Sequence, residues 1–262
     1  MLKGKQTIGF ILCALAVIGS SGCVTEYNLA TRQTESLLYG TDKEISIGEG
    51  VAKQFDANFK MNTDVDINER VRRILERIVA VCDRTELIYT VKIIDEDKVN
   101  AVSLPGGPIY VFKGLVDKVA NDDELAGVIA HEVGHIAAKH GMKKLQASYG
   151  YTLLQLLAVS SGDANLAQGT QTAYLALFLA FSREDEFQAD QLAVRYMREA
   201  GYNPRAMVDF LIKLKEEQHK APLATISYWR THPYIGERIA MANKEITGQL
   251  GFKDYLNLTG NE

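Results

Sequence analysis

Between Ala126 and Gly141 the chain reads AGVIAHEVGHIAAKHG, alanine, glycine and aliphatic residues interrupted by His131, Glu132, His135, Lys139 and His140. On a helix, residues four apart share a face with Cβ atoms about 5–6 Å apart. His131 and His135 can therefore each direct a ring nitrogen at one metal ion, at about 2.0–2.1 Å. Glu132, one step round the helix, flanks that face, where its carboxylate can reach water at the metal without being a ligand. The plainer alternative is a pair of hydrogen-bonded histidines on a polar face. Against it, Gly127, Ala130, Gly134 and Ala137 recur at three- and four-residue steps, as a helix pressed close to its neighbours requires. Buried rings on such a helix must be satisfied, and a metal satisfies both at once.

A catalytic site of this kind needs one more protein ligand and an open coordination position. SREDEFQAD, residues 182–190, offers the ligand. On a helix Glu186 and Asp190 share a face with Ala193 and Met197, which turns both carboxylates inward and leaves Glu184, Asp185 and Gln188 in water. An inward carboxylate needs a cation. Zinc would serve for Glu186, and Asp190, one turn on, would accept a hydrogen bond from a ligand imidazole and hold its tautomer. Ordinary ion pairs with Arg183 or Arg195 are the competing account.

The elements that must position these residues are legible in outline. Thr41 and Glu44 form a capping-box pattern ahead of Ile47, Val51, Phe55 and Phe59, predicting a helix over about 42–60. Asp66 and Glu69 repeat that signal before a second helix carrying Val71, Ile74, Leu75 and Ile78. LIYTVKII, residues 87–94, reads as a strand, and shorter runs at 99–104 and 109–112 flank a turn at Pro105-Gly106-Gly107-Pro108. Asn121, with Glu124 three residues on, should cap the histidine-bearing helix, which is expected to end at Gly141 in the left-handed conformation. Helices to Gly201, from Pro204 to about His219, and from Pro233 complete an α+β, predominantly helical chain with a small sheet beside the H-E-x-x-H helix. Two nine-residue apolar patches within 145–181 are each too short to span a bilayer. They read as core helices or as a surface that gates the site or touches lipid.

The chain has 262 residues, 47% hydrophobic and 24% charged, enough to bury one full core. A net charge of −4 and the lack of a basic block argue against nucleic acid as a partner. Lys3 and Lys5 precede the apolar run IGFILCALAVI and the small residues GSSGC, the layout of a bacterial secretory signal over residues 1–22. Ser21-Gly22-Cys23 resembles the lipobox of bacterial lipoproteins, which implies a lipid on Cys23, a membrane attachment and, with Val24 following, the outer membrane. A soluble periplasmic export signal is the alternative. Such processing would leave Cys82 as the one unmodified cysteine, so disulfides cannot frame the fold. Residues 23–40 are polar and weakly periodic and are expected to be a tether, with the catalytic domain over 41–262.

H-E-V-G-H followed some fifty residues later by S-R-E-D-E-F-Q-A-D resembles the zinc metallopeptidase family of the HtpX, CAAX prenyl endopeptidase and BepA type, a group of gluzincins. N-A-V-S-L-P-G-G-P-I-Y-V from Asn100, His140, and Thr231-His232-Pro233 with Arg238 are similar to further stretches of that family. The resemblance spans about residues 42–245. It implies a zincin-like fold with one zinc per chain, held by His131, His135 and Glu186, and Glu132 as general base and later acid. Asp190 would orient a ligand histidine, with Arg238 beside it. His232 would steady the transition state or close the site as a fourth ligand, or else is simply a turn residue before Pro233. The implied reaction is endopeptidase cleavage of unfolded or misassembled proteins on the periplasmic side of the cell envelope, as quality control. A non-catalytic assembly factor or chaperone on the same fold is the competing class, and zinc hydrolysis of another amide or ester a third.

Overall fold

The computed structural model describes residues 24–148, 181–220 and 228–249. Within them the chain runs β1 (Val24–Asn28), β2 (Gln33–Leu37), α1 (Thr41–Asn58), α2 (Val65–Val79), β3 (Thr90–Ile94), β4 (Ala101–Ser103), β5 (Pro108–Phe112), α3 (Lys113–Lys118) and α4 (Asp122–Ala137). Then come α5 (Arg183–Glu199), α6 (Arg205–Lys220), α7 (Tyr228–Thr231) and α8 (Ile235–Thr247). This is the expected α+β, mostly helical arrangement. The secretory signal and most of the 145–181 apolar region lie outside the described residues. Among the described residues no helix is long and apolar enough to cross a membrane.

The molecule is organised around α4. Every residue from Glu124 to Ala137 is buried, so the helix is enclosed on all sides, which its alanine-, glycine- and valine-rich sequence permits. It packs against α2, α5, α6 and β4. Small residues set the spacing: a Cβ on Gly134 would lie 2.9 Å from the Ala189 carbonyl oxygen of α5, closer than real side chains come. Asn121 caps α4 as its sequence predicts, its side-chain oxygen accepting from the Glu124 N–H at 2.9 Å.

The three-stranded sheet has the order β3-β5-β4, with β3 parallel and β4 antiparallel to β5, so β4 is an outer strand. β4 and β5 are joined through Gly106 and Gly107 at φ 78° and 125°, backbone that a side chain would strain. β3 begins at Thr90, three residues later than the apolar run suggests.

Several local signals are used differently from their sequence reading. The second helix is capped by Asp64, which accepts from the Ile67 N–H at 3.0 Å, rather than by Asp66. Thr41 and Glu44 form no capping box. Glu44 is 1% exposed and pairs with Arg84 at 2.9 Å, and Arg84 also donates to the Ile136 carbonyl at 3.2 Å. α4 ends at Ala137 instead of Gly141, and the left-handed residue is Lys139, at φ 56°. The chain then turns into a further helical stretch over residues 140–148.

The 23–40 segment, read from its polarity as a tether, is a β-hairpin docked on the domain from Val24 onward. Its partners are polar and distant in sequence. Asn28 donates to the Ala137 carbonyl at 3.1 Å, satisfying one of the orphan acceptors at the end of α4, and Lys143 pairs with Glu35 at 2.7 Å. Of the hairpin's own residues, Ala30 and Leu37 are buried, Ala30 within the main core.

Candidate metal centre

Two helices and one short turn converge on a single point. α4 supplies His131 and His135, α5 supplies Glu186, and the residue just after α7 supplies His232. All four are buried, and one donor atom from each lies within 4.8 Å of the others. Metal–ligand bonds of about 2.0–2.1 Å at tetrahedral angles place donor atoms about 3.3 Å apart. His131 Nε2 lies 3.0 Å from His135 Nε2, 3.2 Å from His232 Nδ1 and 3.4 Å from Glu186 Oε2. Glu186 Oε1 is 3.5 Å from His135 Nε2 and 3.1 Å from His232 Nδ1. These separations are close to those between ligands of one zinc ion, with either oxygen of Glu186 in reach, so the donor set fits the ion.

The surroundings hold each donor in place. His131 Nδ1 lies 2.8 Å from Asp190 Oδ1, which holds a proton on Nδ1 and turns Nε2 toward the other donors. Arg238, 1% exposed, grips Asp190 through Nε and Nη2, both at 2.8 Å, and places Nη1 2.9 Å from Glu186 Oε2 without hydrogen-bond alignment. Arg183 and Arg195 pair elsewhere, with Glu237 and Asp83. Burial pushes the Glu186 and Asp190 carboxyls up, but the Arg238 guanidinium and the nearby histidines outweigh it and hold both below the ordinary carboxylate range. Burial and Arg238 disfavour protonation of His131, yet Asp190 and Glu186 together raise it to about 9. In contrast, burial, assisted by neighbouring His131, holds His135 well below the ordinary histidine value.

Glu132 is fully buried, and neither carboxylate oxygen has a hydrogen-bond partner among the described residues. His232 Nε2 approaches Oε1 at 3.3 Å but is not aligned for a bond. A buried carboxylate without donors is costly. This one sits beside the donor cluster, where water or a substrate group would satisfy it.

The structure thus brings together His131, His135, Glu186 and His232, with Glu132, Asp190 and Arg238 against them. His140 stays out of the donor set. Three contacts escape a reading of the sequence: Tyr228 stacks on His232, with ring centroids 4.4 Å apart, Phe181 stacks on His135 at 3.9 Å, and Gln188 reaches His140 at 2.9 Å. Gln188 is half-buried, so it keeps part of its contact with water. Aromatic residues near a predicted site carry no periodic signal, and Gln188 shares no face with Glu186 on an isolated helix.

Two histidines a turn apart, a glutamate from a second helix and an unligated carboxylate beside them define a metallopeptidase centre of the gluzincin kind. The chain belongs to peptidase family M48, whose sequence model matches residues 66–246. It is 30% identical over 169 residues to the mitochondrial metalloendopeptidase OMA1 of Schizosaccharomyces pombe, covering 64% of this chain and 50% of that protein. It is 25% identical over 251 residues to the beta-barrel assembly-enhancing protease of Escherichia coli K12, covering 92% and 50%. Metalloprotease YcaL of the same organism is 26% identical over 212 residues, 79% of each chain. The chain spans about half the length of the first two.

Proposed function

We propose that this domain is a zinc-dependent endopeptidase that hydrolyses unfolded or misassembled proteins of the cell envelope. The observation that carries the reading is the convergence of buried donor atoms from His131, His135, Glu186 and His232 beside the orphaned carboxylate of Glu132. Bound by the first three, zinc would supply a Lewis acid that polarises the scissile carbonyl and makes water acidic enough to be deprotonated near neutral pH. Glu132 takes the proton from the attacking water and returns it to the leaving amine. Asp190 and Arg238 keep His131 in the ligating tautomer. His232 Nδ1, 3.2 Å from His131 Nε2 and 3.1 Å from Glu186 Oε1, would be close enough to serve as a closing ligand rather than a simple turn residue, and would then have to withdraw to admit water.

β4, the outer strand of the sheet, packs against α4. An extended peptide added along the edge of β4, which carries no further strand among the described residues, would be recognised mainly through its backbone, and selection would then depend on exposure of the chain rather than on its side chains. The N-terminal pattern around Cys23 and the similarity to an assembly-enhancing protease support a lipid-anchored position on the periplasmic side of the outer membrane.

Replacing Glu132 with Gln tests the assignment. Zinc content should survive while cleavage of an unfolded protein substrate disappears. An E132Q protein that cleaves as well as wild type refutes the role of Glu132, and one whose cellular phenotype is unchanged favours a binding or chaperone role. Equal digestion of folded and unfolded envelope proteins would refute the proposed selectivity.

A further inference from the structure

We propose that His140 and Gln188 form a hydrogen-bond relay that sets the tautomer of His135, making His140 a positioning residue of the metal centre. The inference rests on the metal-centre reading and concerns how the chain prepares its second imidazole. His131 Nδ1 has an anionic partner in Asp190, whereas Nδ1 of His135 faces a second imidazole. That nitrogen lies 2.8 Å from Nδ1 of His140, which is 1% exposed.

Two neutral ring nitrogens at that distance share one proton. If His135 ligates through Nε2, as its 3.0 Å approach to His131 Nε2 indicates, that nitrogen must be bare and the proton must sit on Nδ1. His140 Nδ1 must then accept, so the proton of His140 sits on Nε2. The structure supplies an acceptor there, Gln188 Oε1 at 2.9 Å, with Asp185 Oδ1 3.4 Å away but not aligned for a bond. The chain Gln188 ← His140 ← His135 thus runs in the single direction that leaves His135 Nε2 free. The reverse direction would put a proton on Nε2, facing His131 and Glu186, and abolish ligation.

The backbone explains how a residue five positions on reaches this place. An uninterrupted helix would carry His140 off the ligand face. The left-handed Lys139 ends that helix and brings His140 back beside His135. Phe181, stacked on the His135 ring, holds the ring plane in which the Nδ1 contact is made.

The histidine Nδ1 and the asparagine side-chain oxygen stand the same number of bonds from the backbone, whereas a glutamine oxygen matches Nε2. His140→Asn should therefore keep an acceptor for His135, and His140→Gln and His140→Leu should lose it. Zinc affinity of the full-length protein, measured by chelator competition, should fall about 10–100-fold for the Leu and Gln variants, with asparagine restoring most of it. Gln188→Leu should weaken zinc less than His140→Leu, because the Asp185 carboxylate, 3.4 Å from His140 Nε2, can turn to take over as acceptor. Thermal unfolding of the metal-free proteins identifies variants that fail to fold. Equal zinc affinity in wild type and H140L overturns the relay. So does a Gln variant that binds better than Asn, the order that side-chain volume alone would give. A wild-type protein that takes up no zinc would instead sink the metal centre itself.

Discussion

Adding one methyl group at Gly134 tests whether the α4–α5 seam holds the centre together. A Cβ there would lie 2.9 Å from the Ala189 carbonyl oxygen, 3.2 Å from its Cα and 3.3 Å from Leu192 Cβ. Ordinary carbon contacts are about 3.5–4.0 Å, so α5 must retreat by roughly 0.5 Å. His135 directly follows Gly134, and Glu186 stands one turn before Ala189, so the retreat lengthens the 3.5 Å separation of His135 Nε2 and Glu186 Oε1. Overpacking costs about 1–3 kcal/mol, offset by about 1 kcal/mol of improved helix propensity. The net loss is up to about 2 kcal/mol, a fall in unfolding temperature of a few degrees for a chain of this size. Zinc affinity should fall with it. Gly50 on α1 is the control: a Cβ there meets nothing within 4 Å, so Gly50→Ala should stabilise by about 0.5–1 kcal/mol. Thermal unfolding and zinc titration of both variants read the result. A Gly134→Ala protein as stable as Gly50→Ala, with unchanged zinc affinity, refutes the reasoning.

Further outcomes follow from the buried charges. Arg238→Leu leaves Asp190 and part of Glu186 without their cation and should destabilise the metal-free protein by about 3–5 kcal/mol; Arg238→Lys should rescue little, because the two-pronged grip on Asp190 is lost. Exhaustive chelation should abolish peptide hydrolysis, and readdition of zinc to a thousandfold excess over its Kd should raise stability by about 4.1 kcal/mol; hydrolysis that survives chelation counts against the metal reading. Burial pushes Lys144, beside the Phe181 ring, down to about 8, against the pull of Asp185 and Glu186. With the folded value below the unfolded one, the unfolded chain holds more protons between about pH 8 and the ordinary lysine range, so stability should rise with pH across that window. Lys144→Met should remove that rise in urea unfolding measured at several pH values.

The parts of the centre that were legible in sequence are those encoded locally. His131, Glu132 and His135 declare themselves by spacing, and Glu186 and Asp190 by sharing a face with Ala193 and Met197, all buried as expected. Arg238 came only through family resemblance, since a lone arginine on a helix carries no signal for the carboxylates it meets across 48 residues of chain. The contact of His140 with His135 was hidden because it depends on one left-handed backbone residue, Lys139, at a position where glycine two residues on looked the better candidate. The 24–37 hairpin was hidden for another reason. It is held largely by polar bonds such as Asn28 to Ala137, which leave no alternation of apolar residues to recognise.

The turn carrying His232 is fastened to the chain just before β4. Tyr228 donates its N–H to the Val99 carbonyl at 2.8 Å, and the Thr231 hydroxyl donates to the Asn100 side chain at 3.1 Å. Anything that tugs on Val99 and Asn100 is felt at His232. A displacement of the chain at the start of β4 and a displacement of His232 are therefore mechanically linked, as a key and bolt are, through the same two stitches.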